Sequence, residues 1–214
     1  MKRYAIFDLD GTILDSMIIW KHLAADYLRL KGISAPTHLA ETVKTMSLQQ
    51  SASYFVEQFR LSNSVEEVKW EMNQLLEEFY YDHVQLKPFV MEYLQALKDQ
   101  CVRMCIATAS PLNHTVGALR RLQVFSYFDF ILTCDEVGVG KEQPAIFLQA
   151  ANRWGVAPSE IMVYEDTLYA IRTAKAAGFY TIGVYDAAAV EDTEAIKQIC
   201  NGYITSFNEM GRIN

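Results

Sequence analysis

The sequence predicts an α/β fold in which helices cover both faces of a parallel β-sheet and a long all-helical segment interrupts the chain. Three observations predict it. After residue 85, short runs are almost continuously apolar, which is typical of strands buried on both faces. These runs alternate with segments of helical periodicity, as parallel strands require. Residues 17–84 break this rhythm, because they show helical periodicity and no convincing strand.

The predicted strands are the short apolar runs between turn signals. In chain order they are Tyr4–Phe7, Val102–Ala107, Phe130–Thr133, Ile161–Tyr164, Tyr180–Val184 and Tyr203–Thr205. Helices are predicted between them at 89–99, 112–122, 144–154 and 167–177. The first of these helices collects its apolar residues on one face, and the last ends at Gly178, a suitable C-terminal stop.

The interrupting segment carries several signals for helix starts. Two stretches match the capping-box pattern, Ser47-x-x-Gln50 and Ser64-x-x-Glu67. Asp15 and Ser16 are suited to cap the first helix of the segment, and Pro36 suits another helix start. An all-helical insertion is therefore expected between the first strand and the rest of the sheet.

Charge and composition exclude several classes of partner. The net charge is −7 and the pI is about 5.1, so the chain is a poor candidate for binding nucleic acid or an anionic membrane. No stretch approaches the ~20 apolar residues of a membrane span. A signal peptide would not carry Asp8 and Asp10 in its apolar region. The four cysteines lack Cys-x-x-Cys spacing, which favours reduced core cysteines in a cytoplasmic protein.

Two carboxylates end the first predicted strand. Asp8 and Asp10 are two residues apart, and such residues point to the same side of a strand. Like charges at that separation raise each other's pKa unless a cation intervenes. The pair therefore predicts a cation-binding site that handles phosphate.

Polar residues also follow three other predicted strands. They are Thr108 and Ser110, with Ala109 between them, then Lys141, and finally Glu165 with Asp166. Ligands of open parallel sheets bind beyond the carboxyl ends of the strands. We therefore expect these side chains to meet Asp8 and Asp10 in one site.

The run Asp8-Leu9-Asp10-Gly11-Thr12 resembles the nucleophile motif of the haloacid dehalogenase (HAD) superfamily, in its β-phosphoglucomutase-like and phosphatase branch. The resemblance covers essentially the whole chain, in motifs and in domain order. It implies a Rossmann-like α/β catalytic core formed by residues 1–15 and 86–214, and a helical cap domain formed by residues 16–85. In this family such an insertion closes over the active site.

The resemblance also implies roles for single residues. Asp8 matches the nucleophile that forms an aspartyl-phosphate. Asp10 matches the general acid/base, and its presence favours C–O–P chemistry, because the family's dehalogenases and phosphonate-cleaving members lack this acid. Lys141 matches the cation that binds the phosphate and holds the nucleophile ionised. One departure is Glu142, which stands where the family often has proline and puts the pose of the lysine in question.

The remaining implied residues bind phosphate or metal. Thr108 matches the hydroxyl that binds a phosphoryl oxygen, and the backbone at Ala109 supplies further donors. Ser110 is either a further contact or a helix cap. The implied cofactor is Mg²⁺, held by Asp8, the backbone carbonyl of Asp10 and Asp166, with Glu165 as a direct or water-mediated ligand.

The function implied is a Mg²⁺-dependent phosphatase of a small phosphorylated metabolite. Two alternatives stay open, a β-phosphoglucomutase-like phosphomutase and a non-catalytic binding protein on the same scaffold. Substrate choice is expected to depend on the cap, where Trp20, Lys21, Lys44 and Tyr54 are candidates to face the site. Asn113 and His114 are further candidates for substrate contact.

Overall fold

The computed structural model describes residues 2–43 and 46–212, so Lys44 lies outside the described residues. Six strands form a single sheet: β1 (Tyr4–Phe7), β2 (Arg103–Thr108), β3 (Phe130–Thr133), β4 (Ile161–Glu165), β5 (Tyr180–Val184) and β6 (Gly202–Ile204). All pairings are parallel, and the strand order is β3-β2-β1-β4-β5-β6. The predicted α/β class and its parallel sheet are confirmed, and β1 lies at the centre.

Ten α-helices accompany the sheet in the described residues. Those of the inserted segment are α1 (Met17–Leu30), α2 (Leu39–Val43), α3 (Leu48–Phe59) and α4 (Val65–Glu78), followed by a π-helical turn at Phe79–His83. Those between and after the later strands are α5 (Val90–Asp99), α6 (Leu112–Arg121), α7 (Cys134–Val137), α8 (Ala145–Trp154), α9 (Leu168–Ala176) and α10 (Thr193–Ile199). No helix among them is long and apolar enough to cross a membrane.

The structure agrees with some of the predicted helix caps and starts and differs from others. Both predicted capping boxes form, with Ser47 and Ser64 as the caps of α3 and α4. Ser16 occupies the position before α1 but makes no side-chain cap hydrogen bond, because its hydroxyl binds Asp10 instead. Pro36 does not begin a helix; it lies in the turn before α2, where its carbonyl accepts a hydrogen bond from the Leu39 N–H.

Apolar side chains form two buried clusters, one on each face of the sheet. One cluster joins Phe7 and Tyr164 of the strands to Tyr27 and Phe55 of the inserted helices. The other packs α8 and α9 against the opposite face. The inserted segment therefore shares a continuous apolar core with one face of the sheet.

The chain enters and leaves the inserted segment side by side. Leu14 and Leu86 form an antiparallel bridge. The Asp15 N–H donates to the Gln85 carbonyl at 2.9 Å, and the Lys87 N–H donates to the Ile13 carbonyl at 2.8 Å. This paired crossing lies directly after the Asp8–Asp10 turn, so it links the inserted helices to the predicted site.

Candidate active site

Five of the predicted site residues are buried at the carboxyl edge of the sheet. They are Asp8, Thr108, Lys141, Glu165 and Asp166. The parallel pairing of β1 with β2 and with β4 explains this convergence, because it aligns the ends of the three strands. Ala109 and Asp10 are only partly buried at the same edge.

Three carboxylates lie close together in this site. One oxygen each from Asp8, Glu165 and Asp166 falls within 4.8 Å of the other two. Burial and the negative charge of Glu165 raise the pKa of Asp8 to about 7, against the attraction of Lys141. Burial, Glu165 and Asp8 raise the pKa of Asp166 as well. The cluster therefore lacks enough positive charge to keep all three groups ionised.

An unpaired oxygen marks where a cation would bind. The Asp166 Oδ2 atom is buried and has no hydrogen-bond partner. It faces Gly11, where φ is +78° and where an added Cβ would lie 2.8 Å from the Asp166 Cγ. Only glycine suits that conformation and that approach. This donor set of carboxylate oxygens fits a hard divalent cation, so the acidic cluster can bind a metal.

Lys141 bridges two of the carboxylates. Its Nζ contacts an Asp8 oxygen and lies 2.9 Å from Glu165 Oε1. The two carboxylates raise the pKa of Lys141 despite its burial, so the ammonium stays charged. Glu142, the departure from the family pattern, is solvent-exposed and leaves this pose undisturbed.

Glu165 is held by several bonds at once. Its Oε2 atom accepts hydrogen bonds from the N–H of Asp166 at 2.7 Å and of Thr167 at 3.0 Å. Burial opposes ionisation, but Lys141 and these donors lower the pKa of Glu165 overall. Both of its oxygens are therefore engaged within the protein, in contrast to Asp166 Oδ2.

The Asp10 carboxylate, unlike that of Asp8, bonds mainly to residues of the inserted segment. It accepts hydrogen bonds from the hydroxyls of Ser16 (2.6 Å), Tyr80 and Ser110. Tyr80 is fully buried and in turn accepts a hydrogen bond from the Trp20 Nε1 at 2.6 Å. Ser16 and Trp20 belong to the start of the insertion and Tyr80 to its end.

The turn after β2 also differs in part from expectation. The Thr108 Oγ1 accepts a hydrogen bond from the Ser110 N–H at 2.9 Å, which tightens the turn. Pro111, not Ser110, precedes α6 as its N-cap residue. The Ser110 hydroxyl is therefore a contact of Asp10 and not a helix cap.

Sequence reasoning did not single out Tyr80 or Lys87. The Lys87 Nζ contacts the Gly11 carbonyl and lies 2.8 Å from Asp186 Oδ2, so it fixes the turn that carries Asp10. The sequence around Lys87, which is Leu86-Lys87-Pro88 after a helical stretch, contains no pattern that predicts this contact. Tyr80 is one of several aromatic residues in the insertion, and spacing alone does not distinguish it.

The cap candidates lie in different places. Trp20 contacts Tyr80, one step from Asp10. Lys21 is exposed and lines a separate cavity of about 520 Å³ beside Lys87. Tyr54 packs against Phe55 and Phe59, with ring centroids 5.8 and 6.1 Å away, so its ring belongs to the packing of α3.

The fold and site together define an α/β protein with a buried carboxylate–lysine pair beside an acidic cluster that can bind a metal. The chain belongs to the haloacid dehalogenase-like hydrolases, because the model of that family matches residues 2–178. The predicted family and the prediction of an enzyme are thereby confirmed.

Several characterised proteins are similar to this chain. A phosphorylated carbohydrates phosphatase of Thermotoga maritima is 25% identical over 177 residues, which cover 83% of this chain and 82% of the relative. A β-phosphoglucomutase of Bacillus subtilis is 28% identical, with 85% and 83% covered. The crystal structure of a mutant CbbY from Rhodobacter sphaeroides, in complex with xylulose-1,5-bisphosphate, superposes with a TM-score of 0.86 at 19% identity, covering 99% and 97%. This last similarity concerns the fold.

Proposed function

We propose that the protein is a Mg²⁺-dependent phosphatase that hydrolyses a small phosphomonoester through an aspartyl-phosphate on Asp8. The observation that carries the proposal is the buried Asp8–Lys141 pair beside the unpaired Asp166 Oδ2. A nucleophilic carboxylate, a cation for the phosphate and a metal ligand are the parts that phosphoryl transfer requires. Phosphatases among the relatives support the same reaction.

The residues of the acidic cluster fit Mg²⁺. Asp8 and Asp166 would supply carboxylate oxygens, and the Asp10 backbone carbonyl would supply a third ligand. Glu165 contributes mainly by holding Lys141 and the start of α9, since its oxygens are already bonded. When bound, Mg²⁺ would neutralise part of the negative charge on the phosphate and orient it for in-line attack.

In the first half-reaction, an oxygen of the Asp8 carboxylate attacks phosphorus and the bond from phosphorus to the ester oxygen breaks. Lys141, Thr108 and the N–H of Ala109 hold the phosphoryl oxygens. The leaving alkoxide takes a proton from Asp10. In the second half-reaction Asp10 takes a proton from water, which attacks the aspartyl-phosphate and releases inorganic phosphate.

The inserted helices act as a cap domain in this proposal. The paired crossing at Leu14 and Leu86 supports boundaries near residues 15 and 86. Because Tyr80 and Ser16 both bind the Asp10 carboxylate, movement of the cap would change what Asp10 can reach. Ser16 and Tyr80 both donate to Asp10 Oδ1, whereas Oδ2 accepts only from Ser110, so Oδ2 keeps a lone pair for the proton that the leaving group takes.

A phosphomutase is the second candidate, supported by the β-phosphoglucomutase relative. The same residues would return the phosphoryl group to a sugar hydroxyl instead of to water. A non-catalytic scaffold is disfavoured because Asp8 and Asp10 are both present.

Phosphate release from a panel of phosphomonoesters, with and without Mg²⁺, tests the proposal. Release that depends on the metal and is lost in Asp8→Asn is the expected result. Isomerisation of β-glucose-1-phosphate without release of phosphate would favour the mutase. A folded protein that binds Mg²⁺ and turns over none of the panel would contradict the phosphatase.

A further inference from the structure

Lys87 lies where three segments of the chain meet beside the acidic cluster. It belongs to the paired crossing after the inserted helices, and its side chain is 13% exposed. Its Nζ donates to the Gly11 carbonyl, to the Tyr185 carbonyl at 2.6 Å and to Asp186 Oδ2 at 2.8 Å. An ammonium has three donors, so each of them is engaged. The Lys87 side chain therefore joins the crossing to the turn after β1 and to the loop after β5.

The turn that Lys87 holds lies directly against Asp166. A Cβ added to Gly11 would lie 2.4 Å from Asp166 Oδ2, so the Gly11 backbone abuts the unpaired oxygen. The next residue, Thr12, is fully buried, and its hydroxyl donates to Asp166 Oδ1 at 3.4 Å. The carbonyl that Lys87 binds belongs to the planar peptide between Gly11 and Thr12. Both contacts with Asp166 therefore depend on where this peptide lies.

Lys87 also affects the charge near the cluster, with the opposite consequence for a bound cation. Asp186 is nearly buried, and its negative charge contributes to the raised pKa of Asp166. The Lys87 ammonium offsets that charge. If charge alone mattered, removal of the ammonium would make the region more negative and would strengthen cation binding. If the position of the turn matters more, the same removal would weaken cation binding.

We propose that Lys87 is a positioning residue that sets the affinity of the acidic cluster for Mg²⁺, because it holds the Gly11–Thr12 peptide against Asp166. The inference rests on the proposed function, in which Asp166 is a metal ligand. It assigns a role in metal binding to a residue outside the cluster. The inserted helices and the metal site then share one anchor, since the segment that carries Lys87 also returns the chain from those helices.

Calorimetric titration with Mg²⁺ in the absence of substrate measures this affinity. Lys87→Met removes the ammonium but keeps the backbone N–H that donates to the Ile13 carbonyl at 2.8 Å. We expect the dissociation constant for Mg²⁺ to rise about three- to tenfold, the size of one lost hydrogen bond. An unchanged or lower dissociation constant would overturn the inference, and a lower one would show that charge outweighs position.

A charge-matched variant keeps the test decisive if an unpaired Asp186 unfolds the single variant. Lys87→Met/Asp186→Asn removes one charge of each sign, and asparagine keeps the Oδ1 acceptor that binds the Ala188 N–H at 2.8 Å. The same rise in the dissociation constant is expected. The control is Lys21→Met, which removes an exposed cation that lines the same cavity as Lys87 and should change the dissociation constant by less than about twofold. Thermal melts in EDTA verify that each protein is folded.

The metal dependence of activity separates a defect in metal affinity from a general distortion of the site. In the charge-matched variant, saturating Mg²⁺ should recover most of the kcat for p-nitrophenyl phosphate that is lost at limiting Mg²⁺. A kcat that saturating Mg²⁺ does not recover, in a variant of an active wild type, would overturn the inference. An equal rise in the dissociation constant in Lys21→Met would also overturn it, because the effect would not depend on the bond to Gly11.

The outcomes also separate this inference from the proposed function. Hydrolysis by the wild type, with the same Mg²⁺ affinity in the wild type and the charge-matched variant, would overturn the inference and leave the phosphatase standing. Weaker Mg²⁺ binding by that variant, with no ester hydrolysed by the wild type, would support the inference and overturn the proposed function. A wild type that binds no Mg²⁺ would overturn both.

Discussion

Asp8 and Asp10 belong to the same five-residue motif, yet different regions of the molecule hold them. Asp8 is buried and bonded within the sheet region, to Lys141 from the loop before α8. Asp10 is partly exposed, and two of its three hydroxyl partners, Ser16 and Tyr80, come from the two ends of the inserted segment. The difference teaches that the sheet fixes the environment of Asp8, the proposed nucleophile, whereas the insertion supplies most of the partners of Asp10, the proposed acid/base.

Loss of the proposed nucleophile should have the largest effect. We expect Asp8→Asn to lower kcat on the order of 10⁶-fold, the size seen when an enzyme loses its nucleophile. Circular dichroism should show an unchanged fold, because asparagine is isosteric with aspartate. A rate of phosphate release close to that of the wild type would remove Asp8 from the reaction.

The effect of losing the proposed acid/base should be smaller and should depend on the leaving group. Asp10→Asn is expected to slow hydrolysis of an alkyl phosphate by about 10²–10⁴-fold. Formation of the aspartyl-phosphate from p-nitrophenyl phosphate should suffer less, because nitrophenolate leaves without a proton. Single-turnover kinetics with both esters measures this, and equal losses in that step would argue against proton donation by Asp10.

A change in the insertion should affect Asp10 and spare Asp8. Tyr80→Phe removes one donor to the Asp10 carboxylate and is expected to lower kcat for an alkyl phosphate about 3–10-fold, the size of a lost hydrogen bond. The concentration of Mg²⁺ that gives half-maximal activity should not move. Tyr54→Phe is the matched control, since that ring packs within α3. An altered Mg²⁺ titration in Tyr80→Phe would mean that the two carboxylates are not held separately.

The smallest effect concerns stability. The pKa of Asp8 rises from 3.8 to about 7 in the metal-free protein, so folding favours the protonated form. This contribution is fully present below about pH 3.8 and is lost as the pH rises through about 7. Thermal melts in EDTA should therefore give a lower Tm at pH 8 than at pH 5. Mg²⁺ should reduce that difference, and an identical pH dependence with and without the metal would contradict a cation at this cluster.

The sequence predicted the Asp8 region better than the Asp10 region for a physical reason. Asp8, Thr108 and Glu165 stand at the ends of apolar strands, and parallel pairing alone brings such ends together. Tyr80 reaches Asp10 only through the packing of α1 and α4 with the sheet, which no local pattern encodes. Ser16 was recognised as a polar residue at a helix start, but not as a partner of Asp10.

Local backbone features explain two other differences between the predicted and the observed helices. The short helix α7 begins at the capping box of Thr133 and Glu136. It was not predicted because Thr133 also ends a strand-like apolar run. Helix α5 begins at Val90 because Phe89 adopts a left-handed conformation, with φ of +66°. Neither feature alters the position of the site.

The central claim is that Asp8 carries the phosphoryl group during turnover. Rapid acid quenching of the enzyme at steady state, followed by borohydride reduction and peptide mass spectrometry, tests it directly. The account predicts that the acyl phosphate at Asp8 is converted to homoserine and that Asp10 stays unmodified. The sample should be quenched under conditions where single-turnover kinetics show that hydrolysis of the intermediate is rate-limiting, because the aspartyl-phosphate then accumulates. Unmodified Asp8 in that sample would contradict the account.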